Sequence, residues 1–190
     1  MAPAHVTEPE RTASAQREAI YAQYLGDTDR FLTTIVVTDI VDSTKTVALV
    51  GDRRWRELLA GHYDDCRRLV ARGGGELVST TGDGIVAIFD GPTRAVRAAI
   101  AIQALARESG LTVRAGVHTG ELERMAEGIA GLAIHIATRV CALGAGDEVI
   151  ATDTVRELTI GSLLRFEASG RQELRGVPGS FAVFRATDPA

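Results

Sequence analysis

Lysine, cysteine and long apolar runs are all scarce in this chain of 190 residues. Lys45 is the only lysine, and 25 acidic residues outnumber 21 basic ones, which gives a net charge of −4. This balance offers neither the basic surface that nucleic acids require nor a polybasic patch for a membrane. No apolar run approaches the roughly 20 residues of a membrane-spanning helix. The sequence therefore indicates a globular protein with no nucleic-acid partner and no membrane insertion.

The two cysteines, Cys66 and Cys141, lie in stretches with helical patterns and form no metal-ligand spacing. We expect them to be buried, reduced thiols. The start of the chain, residues 1–11, is polar and lacks the apolar core of a signal peptide. Together these features predict a cytoplasmic protein.

Apolar periodicity predicts a β-α-β-β-α-β order over the first two thirds of the chain. The predicted strands are residues 32–38, 76–79, 85–89 and 111–118, and the predicted helices are 43–72, interrupted at Gly51, and 92–107. This order predicts an α+β fold with a ferredoxin-like βαββαβ core, in which helices cover one face of an antiparallel sheet.

A C-terminal extension follows this core. It contains a polar arm at 121–127 and then, in chain order, a helix at 131–143, a strand at 148–151, a short helix at 154–159 and a hairpin of strands 163–168 and 180–186. We predict one domain over residues 31–186. Residues 1–30 are predicted to be a flexible segment or linker, with a short helix at 13–25 as the alternative for part of it, and residues 187–190 a tail.

Two aspartates occupy similar settings. Asp39 ends the apolar run of the first strand, and Asp83 lies in the turn between the second and third strands. If these strands are neighbours in one sheet, the two carboxylates meet, and such hard oxygen ligands suit Mg²⁺ or Mn²⁺ and the phosphates of a nucleotide. The alternative is two ordinary turn aspartates, since Asp-Gly is common in hairpins.

Five motifs follow one another along the chain. They are T-D-I-V-D-S-T at 38–44, T-T-G-D-G at 80–84, V-R-A-G-V-H-T-G-E at 113–121, H-I-A-T-R at 135–139 and E-L-R-G-V-P-G at 173–179. In this order they resemble the catalytic domain of the class III nucleotidyl cyclases, the adenylate and guanylate cyclases, and most closely its bacterial, mycobacterial-like members. The resemblance covers roughly residues 31–186 and implies the same ferredoxin-like core.

The resemblance implies that a nucleoside triphosphate is cyclised with loss of pyrophosphate, assisted by two Mg²⁺ or Mn²⁺ ions. Asp39 and Asp83 match the metal-binding aspartates, and the carbonyl of Ile40 is expected to add a ligand. The phosphates are expected to meet the backbone amides at the start of a helix. These amides belong to Ile40, Val41, Asp42, Ser43 and Thr44.

The resemblance also implies a homodimer whose active sites are shared between chains, with ATP as substrate and GTP as the alternative. Arg139 matches the arginine that stabilises charge on the α-phosphate, and His135 stands where many members carry a ribose-orienting asparagine. Arg175 replaces a phosphate-binding lysine, which keeps the charge and changes the geometry.

The sequence departs from the family pattern at the base-recognition positions. Ser79 stands where adenylate cyclases carry a lysine, and Gly128 where they carry an aspartate. Asp42 replaces a common glycine; it is expected to cap the following helix or, as alternatives, to repel the triphosphate or to draw a metal ion. These departures leave a second hypothesis open, a degenerate cyclase-like module that serves nucleotide binding, dimerisation or regulation. A nucleic-acid-binding ferredoxin-like domain is opposed by the charge and by the lack of aromatic residues on the strands.

Overall fold

The computed structural model of the protein describes residues 16–17, 29–126 and 128–189. The predictions for residues 1–28, including the helix at 13–25, fall outside the described residues except at positions 16 and 17. The prediction for the last residue of the tail falls outside them as well.

Eight strands and five helices lie between residues 29 and 189. The strands are β1 (Arg30–Ile40), β2 (Gly75–Thr81), β3 (Gly84–Phe89), β4 (Val113–Met125), β5 (Gly128–Ala130), β6 (Val149–Thr152), β7 (Arg165–Glu173) and β8 (Ser180–Thr187). The helices are α1 (Ser43–Val50), α2 (Asp52–Arg72), α3 (Pro92–Glu108), α4 (Leu132–Leu143) and α5 (Asp153–Leu158). No helix in this described part is long and apolar enough to cross a membrane.

One sheet runs through the described chain in the strand order β2-β3-β1-β4-β6-β8-β7, with β5 paired to β4. The first four strands pair with one another in antiparallel fashion and have the order of a ferredoxin-like sheet. The extension adds β6, which is parallel to β4, and then the antiparallel strands β8 and β7. The predicted α+β fold with a βαββαβ core is therefore confirmed.

Successive residues of β1 point to opposite faces of the sheet, and each face has its own helices. Val36 and Ile40 pack into a core with α2 and α3, whereas Ile35 and Val37 face α4. The two core helices thus share one face, as predicted, and α4 from the extension covers the other.

Close contact between α4 and β4 depends on Gly116. A Cβ atom at this position would lie 2.3 Å from the backbone nitrogen of Cys141 and 2.4 Å from the carbonyl oxygen of Ala137. The strand therefore requires glycine where the helix crosses it. Both cysteines are buried and free, as predicted. Burial raises the pKa of Cys66 and of Cys141 to about 12, so both remain protonated thiols at neutral pH.

The predicted polar arm at 121–127 needs correction. β4 continues through Met125, and β5 pairs back onto it with Met125 opposite Gly128. The side chains of Glu123, Arg124 and Met125 are exposed, so the segment has the polar composition of a loop while its backbone forms a hairpin. Its pairing rests on backbone hydrogen bonds, which leave little trace in the apolar pattern.

Candidate active site

Asp39 lies one residue before the end of β1 and is held by Arg114 on β4. The two residues are directly opposite each other in the antiparallel pair. Arg114 Nε and Nη2 donate to Asp39 Oδ2 at 2.8 Å and 2.5 Å, and both side chains are about one third exposed, 30% for Arg114 and 34% for Asp39. Sequence reasoning missed this ion pair. The available signal was an arginine inside the apolar strand that precedes His118.

Asp83 lies in the turn between β2 and β3, at the same end of the sheet as Asp39. Val37 of β1 pairs with Val86 of β3, so continuing this register brings Gly84 beside Asp39. A Cβ atom on Gly84 would lie 1.9 Å from the carbonyl oxygen of Thr38, which explains the glycine after Asp83. The structure therefore places both aspartates at the same end of two neighbouring strands, β1 and β3.

The turn that carries Asp83 is also held from α2. The Tyr63 hydroxyl donates to the carbonyl of Gly82 at 2.5 Å. Burial raises the pKa of Tyr63, and the nearby negative charge of Asp83 raises it further. Between this turn and α1 lies an open groove of about 580 Å³, which is lined by Ser43, Thr44, Val47, Ala48, Trp55, Gly82 and Asp83.

The start of α1 differs from the expected capped helix. Asp42 occupies the N-cap position in a left-handed conformation, with φ 55°, and its side chain caps no backbone amide. Capping requires an extended backbone that directs the side-chain oxygen to the first turn. The Asp42 carboxylate instead pairs with Lys45, with 2.8 Å between Oδ1 and Nζ. Asp42 is therefore at the N-cap position, but the expected capping hydrogen bond from its side chain is absent.

Fewer backbone amides are available to bind phosphate than the sequence indicated. The amide of Val41 donates to the carbonyl of Thr112 at 2.8 Å and is therefore engaged. The amides of Ser43 and Thr44 belong to the first turn of α1, where helix geometry provides no intrahelical acceptor. These two residues also line the groove beside Asp83.

His135 and Arg139 lie one turn apart on α4, and both are exposed. Cys141 is buried, and its Sγ donates to the carbonyl of Arg114 at 3.5 Å. Residues two apart on a helix point in nearly opposite directions. Arg139 therefore points away from the Asp39–Arg114 pair, and a single chain does not bring the three residues together.

Arg175 lies beside the outer flank of α4. The preceding residue, Leu174, packs with Ile136 and Val140 of that helix. Arg175 itself is exposed and lines an open groove of about 720 Å³ formed by residues 173–180. His135 and Arg139 thus lie on the face of α4 that points away from the aspartates, and Arg175 is exposed on the segment that follows β7.

The two predicted base-reading positions lie far apart in the sheet register. Ser79 is exposed on β2 and opposite Val86, near the aspartate edge. Gly128 pairs with Met125 at the tip of the β4–β5 hairpin, near the other end of β1, and its backbone has φ 115°. Sheet pairing within one chain does not place these two residues side by side.

The residues present fit a hard divalent cation. Asp39 and Asp83 contribute carboxylates, and the carbonyl of Ile40 is adjacent along the chain; such an all-oxygen donor set suits Mg²⁺ or Mn²⁺. Among the described residues there is no group of three or more histidine, cysteine, aspartate or glutamate side chains that could hold a metal alone. Water molecules and oxygens from a phosphate ligand would complete the coordination.

The sequence matches no protein-family model. An uncharacterized protein of Rhizobium meliloti strain 1021 is 28% identical over 180 residues, which covers 83% of this chain. The match spans only 17% of that protein, so the chain corresponds to about a sixth of the length of this relative.

Solved structures are more informative about the fold. The adenylyl cyclase CyaB of P. aeruginosa has a TM-score of 0.77 at 17% identity, covering 85% of this chain and 96% of its own. The guanylate cyclase domain of RhGC from Catenaria anguillulae, solved with GTP, has a TM-score of 0.74 at 17% identity and coverages of 84% and 98%. An adenylate/guanylate cyclase/hydrolase from Silicibacter pomeroyi has a TM-score of 0.68 at 26% identity, with coverages of 85% and 99%. The described chain therefore has the fold of the class III adenylyl and guanylyl cyclase catalytic domains.

Proposed function

We propose that the chain is a nucleotidyl cyclase domain of the mycobacterial-like type, which forms cyclic AMP and pyrophosphate from ATP, with GTP as the alternative substrate. One observation supports this most directly. Asp39 and Asp83 lie at the same end of two neighbouring strands, and Asp83 lines the groove beside the start of α1, in a fold shared with adenylyl and guanylyl cyclases.

In this proposal Asp39, Asp83 and the Ile40 carbonyl hold two Mg²⁺ or Mn²⁺ ions. Bound there, the ions supply Lewis-acid polarisation of the phosphate oxygens and of the attacking ribose hydroxyl. The amides of Ser43 and Thr44 at the start of α1 bind the triphosphate, because a helix N-terminus carries partial positive charge and unpaired N–H groups.

The remaining phosphate contacts come from a second copy of the chain. Arg139 stabilises charge on the α-phosphate, His135 orients the ribose and Arg175 binds the outer phosphates. The orientation of α4 supports this assignment, because Arg139 points away from the aspartates of its own chain. Each site of a symmetric dimer then combines the aspartates of one chain with the arginines of the other.

Base recognition in this proposal is relaxed. A serine hydroxyl donates and accepts hydrogen bonds, so Ser79 offers no strong preference between adenine and guanine. Gly128 offers only backbone groups. The similar structures include both adenylyl and guanylate cyclases and therefore favour neither nucleotide.

A regulatory module without turnover is the second candidate. Two observations favour it: Arg114 already occupies Oδ2 of Asp39, and the negative charge of Asp42 lies next to the expected phosphate site. In this second proposal the chain binds nucleotide weakly and acts as a dimerisation or regulatory unit.

Turnover assays separate the two candidates. Purified protein is incubated with Mn²⁺ and either ATP or GTP over a wide range of protein concentrations, and cyclic products are measured by chromatography. The enzyme proposal predicts product whose rate per chain rises with protein concentration. Asp39→Asn or Asp83→Asn should lower the rate more than about a hundredfold. Mutating even the residues that only hydrogen-bond to metal ligands lowers metal affinity or activity by about 10- to 100-fold.

Asp64→Asn is the matched control, because Asp64 is an exposed carboxylate on α2 that pairs with Arg67. It should retain wild-type turnover. Full activity in either site variant would remove the metal assignment. A wild-type chain that forms dimers but makes no product from either nucleotide would favour the regulatory module.

A further inference from the structure

We infer that Lys45 neutralises the Asp42 carboxylate and holds it on the side of α1 away from the groove, so that a triphosphate can reach the amides of the first turn. The inference rests on the proposed phosphate role of Ser43 and Thr44, and it concerns nucleotide affinity rather than the reaction step. Lys45 is a positioning residue in this account, since it acts through Asp42.

Asp42 places a carboxylate beside the proposed phosphate site. It is the N-cap residue of α1 and immediately precedes Ser43, the first residue of the helix. Its carbonyl accepts hydrogen bonds from the Thr46 amide at 3.0 Å and the Thr46 hydroxyl at 3.3 Å, which fix its backbone at the helix start. The Asp42 side chain is 59% exposed. An uncompensated charge at this position would repel a triphosphate at the neighbouring amides.

The backbone conformation of Asp42 leaves those amides open. An N-cap residue with an extended backbone directs its side-chain oxygen to the amides of the first turn and occupies them. Asp42 has the left-handed conformation, with φ 55° and ψ 32°, and its side chain makes no such bond. The carboxylate therefore does not compete with a phosphate for the amides, and only its charge has to be offset.

Lys45 supplies the offsetting charge. Its Nζ lies 2.8 Å from Oδ1 of Asp42, and the i, i+3 spacing places the two side chains side by side on the helix surface. The first turn of α1 carries no acidic residue, and the helix dipole disfavours a cation there. The helix itself thus gives Lys45 no favourable interaction with its dipole, whereas the Asp42 carboxylate gives it a direct partner.

The pair also lies to one side of the groove. On α1 the groove beside Asp83 is lined by Ser43, Thr44, Val47 and Ala48, and not by Lys45. At 3.6 residues per turn, Lys45 lies roughly 130° around the helix from the centre of these four residues. Pairing with Lys45 therefore draws the Asp42 carboxylate away from the face of α1 that the triphosphate approaches.

The test measures how tightly the chain binds the Mn²⁺ complex of an ATP analogue with a methylene bridge between the α- and β-phosphorus, which cannot lose pyrophosphate. Binding is followed by isothermal titration calorimetry. Lys45→Gln should weaken binding about fivefold, because one uncompensated carboxylate then repels the triphosphate through water. Lys45→Arg keeps the cation and should bind the analogue like the wild type.

A double-mutant cycle separates this role from direct contact between Lys45 and the nucleotide. Asp42→Asn removes the carboxylate charge, and asparagine also adopts the left-handed conformation. In the Asp42→Asn background, Lys45→Gln should change the dissociation constant by less than about twofold, since the two residues are coupled. If Lys45 bound the nucleotide itself, its loss would weaken binding by the same factor in both backgrounds, and the inference would fail.

Arg67→Gln is the matched control, because it removes the partner of Asp64 from an exposed ion pair of the same i, i+3 spacing on α2. It changes the net charge as Lys45→Gln does and should bind the analogue like the wild type. In turnover assays, Lys45→Gln should raise KM and leave kcat unchanged, because it removes binding that the ground state and the transition state share.

Unchanged affinity in folded Lys45→Gln would overturn the inference and leave the proposed function standing. Folding is judged by thermal unfolding, and Lys45→Met takes the place of Lys45→Gln if the latter fails to fold. If the wild-type chain did not bind the analogue at all, the phosphate role of Ser43 and Thr44 would fail, and the inference with it.

Discussion

The hydroxyl of Tyr63 on α2 donates a hydrogen bond to the carbonyl of Gly82, at 2.5 Å. This contact joins the longest described helix to the turn that carries Asp83. Within the turn, the amide of Asp83 donates to the carbonyl of Thr81 at 2.9 Å. The position of the Asp83 carboxylate therefore depends on a side chain 20 residues earlier in the chain as well as on the local turn.

Replacing Tyr63 with phenylalanine should loosen this turn. The ring is retained and one hydrogen bond is lost, so the free energy of unfolding should fall by about 1 kcal/mol. Turnover should fall severalfold, with a higher KM for the Mn²⁺–nucleotide complex. Thr159→Val is the control, because it removes a buried hydroxyl that donates to Val155 far from the site. If both variants lost the same stability and neither lost turnover, Tyr63 would have no positioning role.

The core of the fold could be predicted from the sequence because its strands and helices follow simple periodicities, whereas the β4–β5 hairpin could not. β1 was predicted from the β-branched run ending at Thr38, and α2 from apolar residues such as Cys66 and Val70 at three- and four-residue spacing. Both assignments agree with the structure to within two residues at each end. Buried strands and amphipathic helices differ in period, so local sequence separates them.

The details of the site could not be predicted in the same way. The Asp39–Arg114 pair joins residues 75 positions apart, and it depends on a strand register that periodicity does not define. The missing cap at Asp42 reflects a left-handed backbone that Asp adopts more readily than most residues. In both cases the deciding feature is a backbone conformation or pairing, not a residue type.

Acid should destabilise the protein through His118. This side chain is buried on β4, with Nδ1 2.9 Å from Thr152 Oγ1, and burial lowers its pKa from 6.5 to about 4. Between these values the unfolded chain binds more protons than the folded one, so stability falls as pH falls from 6.5 towards 4 and is fully present above 6.5. The shift corresponds to at most about 3 kcal/mol.

Urea unfolding at several pH values between 4 and 7 measures this effect. His118→Asn should flatten the pH dependence of the unfolding free energy. Some dependence should remain, because burial also lowers the pKa of His62. An equally steep dependence in His118→Asn would show that other groups cause the loss of stability.

Mixing two inactive variants should restore activity if the sites are shared between chains. Asp39→Asn removes a metal-binding carboxylate from the part of the site that one chain supplies. Arg139→Ala removes the arginine from the part that the other chain supplies. A heterodimer of the two has one site with both wild-type halves and one with neither. With free exchange at equal concentrations, half of the dimers are mixed, so turnover should reach about a quarter of the wild-type value. Mixed dimers verified by native mass spectrometry but without turnover would rule out sharing between chains.

Restoring the base-reading residues should sharpen nucleotide choice. Ser79→Lys adds a donor for adenine N1, and Gly128→Asp adds an acceptor for the N6 amine. The combined variant should raise the ratio of ATP to GTP turnover by about tenfold to a hundredfold, as expected for hydrogen bonds to a buried polar edge. The ratio is measured by competition, with both nucleotides in one reaction.

The conformation of Gly128 complicates this experiment in a predictable way. Its φ of 115° is a region that side chains other than glycine rarely adopt, although a Cβ atom there would meet no neighbour within 4 Å. Gly128→Asp should therefore cost about 1 to 3 kcal/mol in backbone strain. Gly128→Ala measures this cost alone and should not change nucleotide choice.

Ser79→Lys alone avoids the strain and should shift the ratio of ATP to GTP turnover towards ATP by a smaller factor. If the folded, dimeric double variant kept the wild-type ratio, base recognition would have to run through residues other than Ser79 and Gly128.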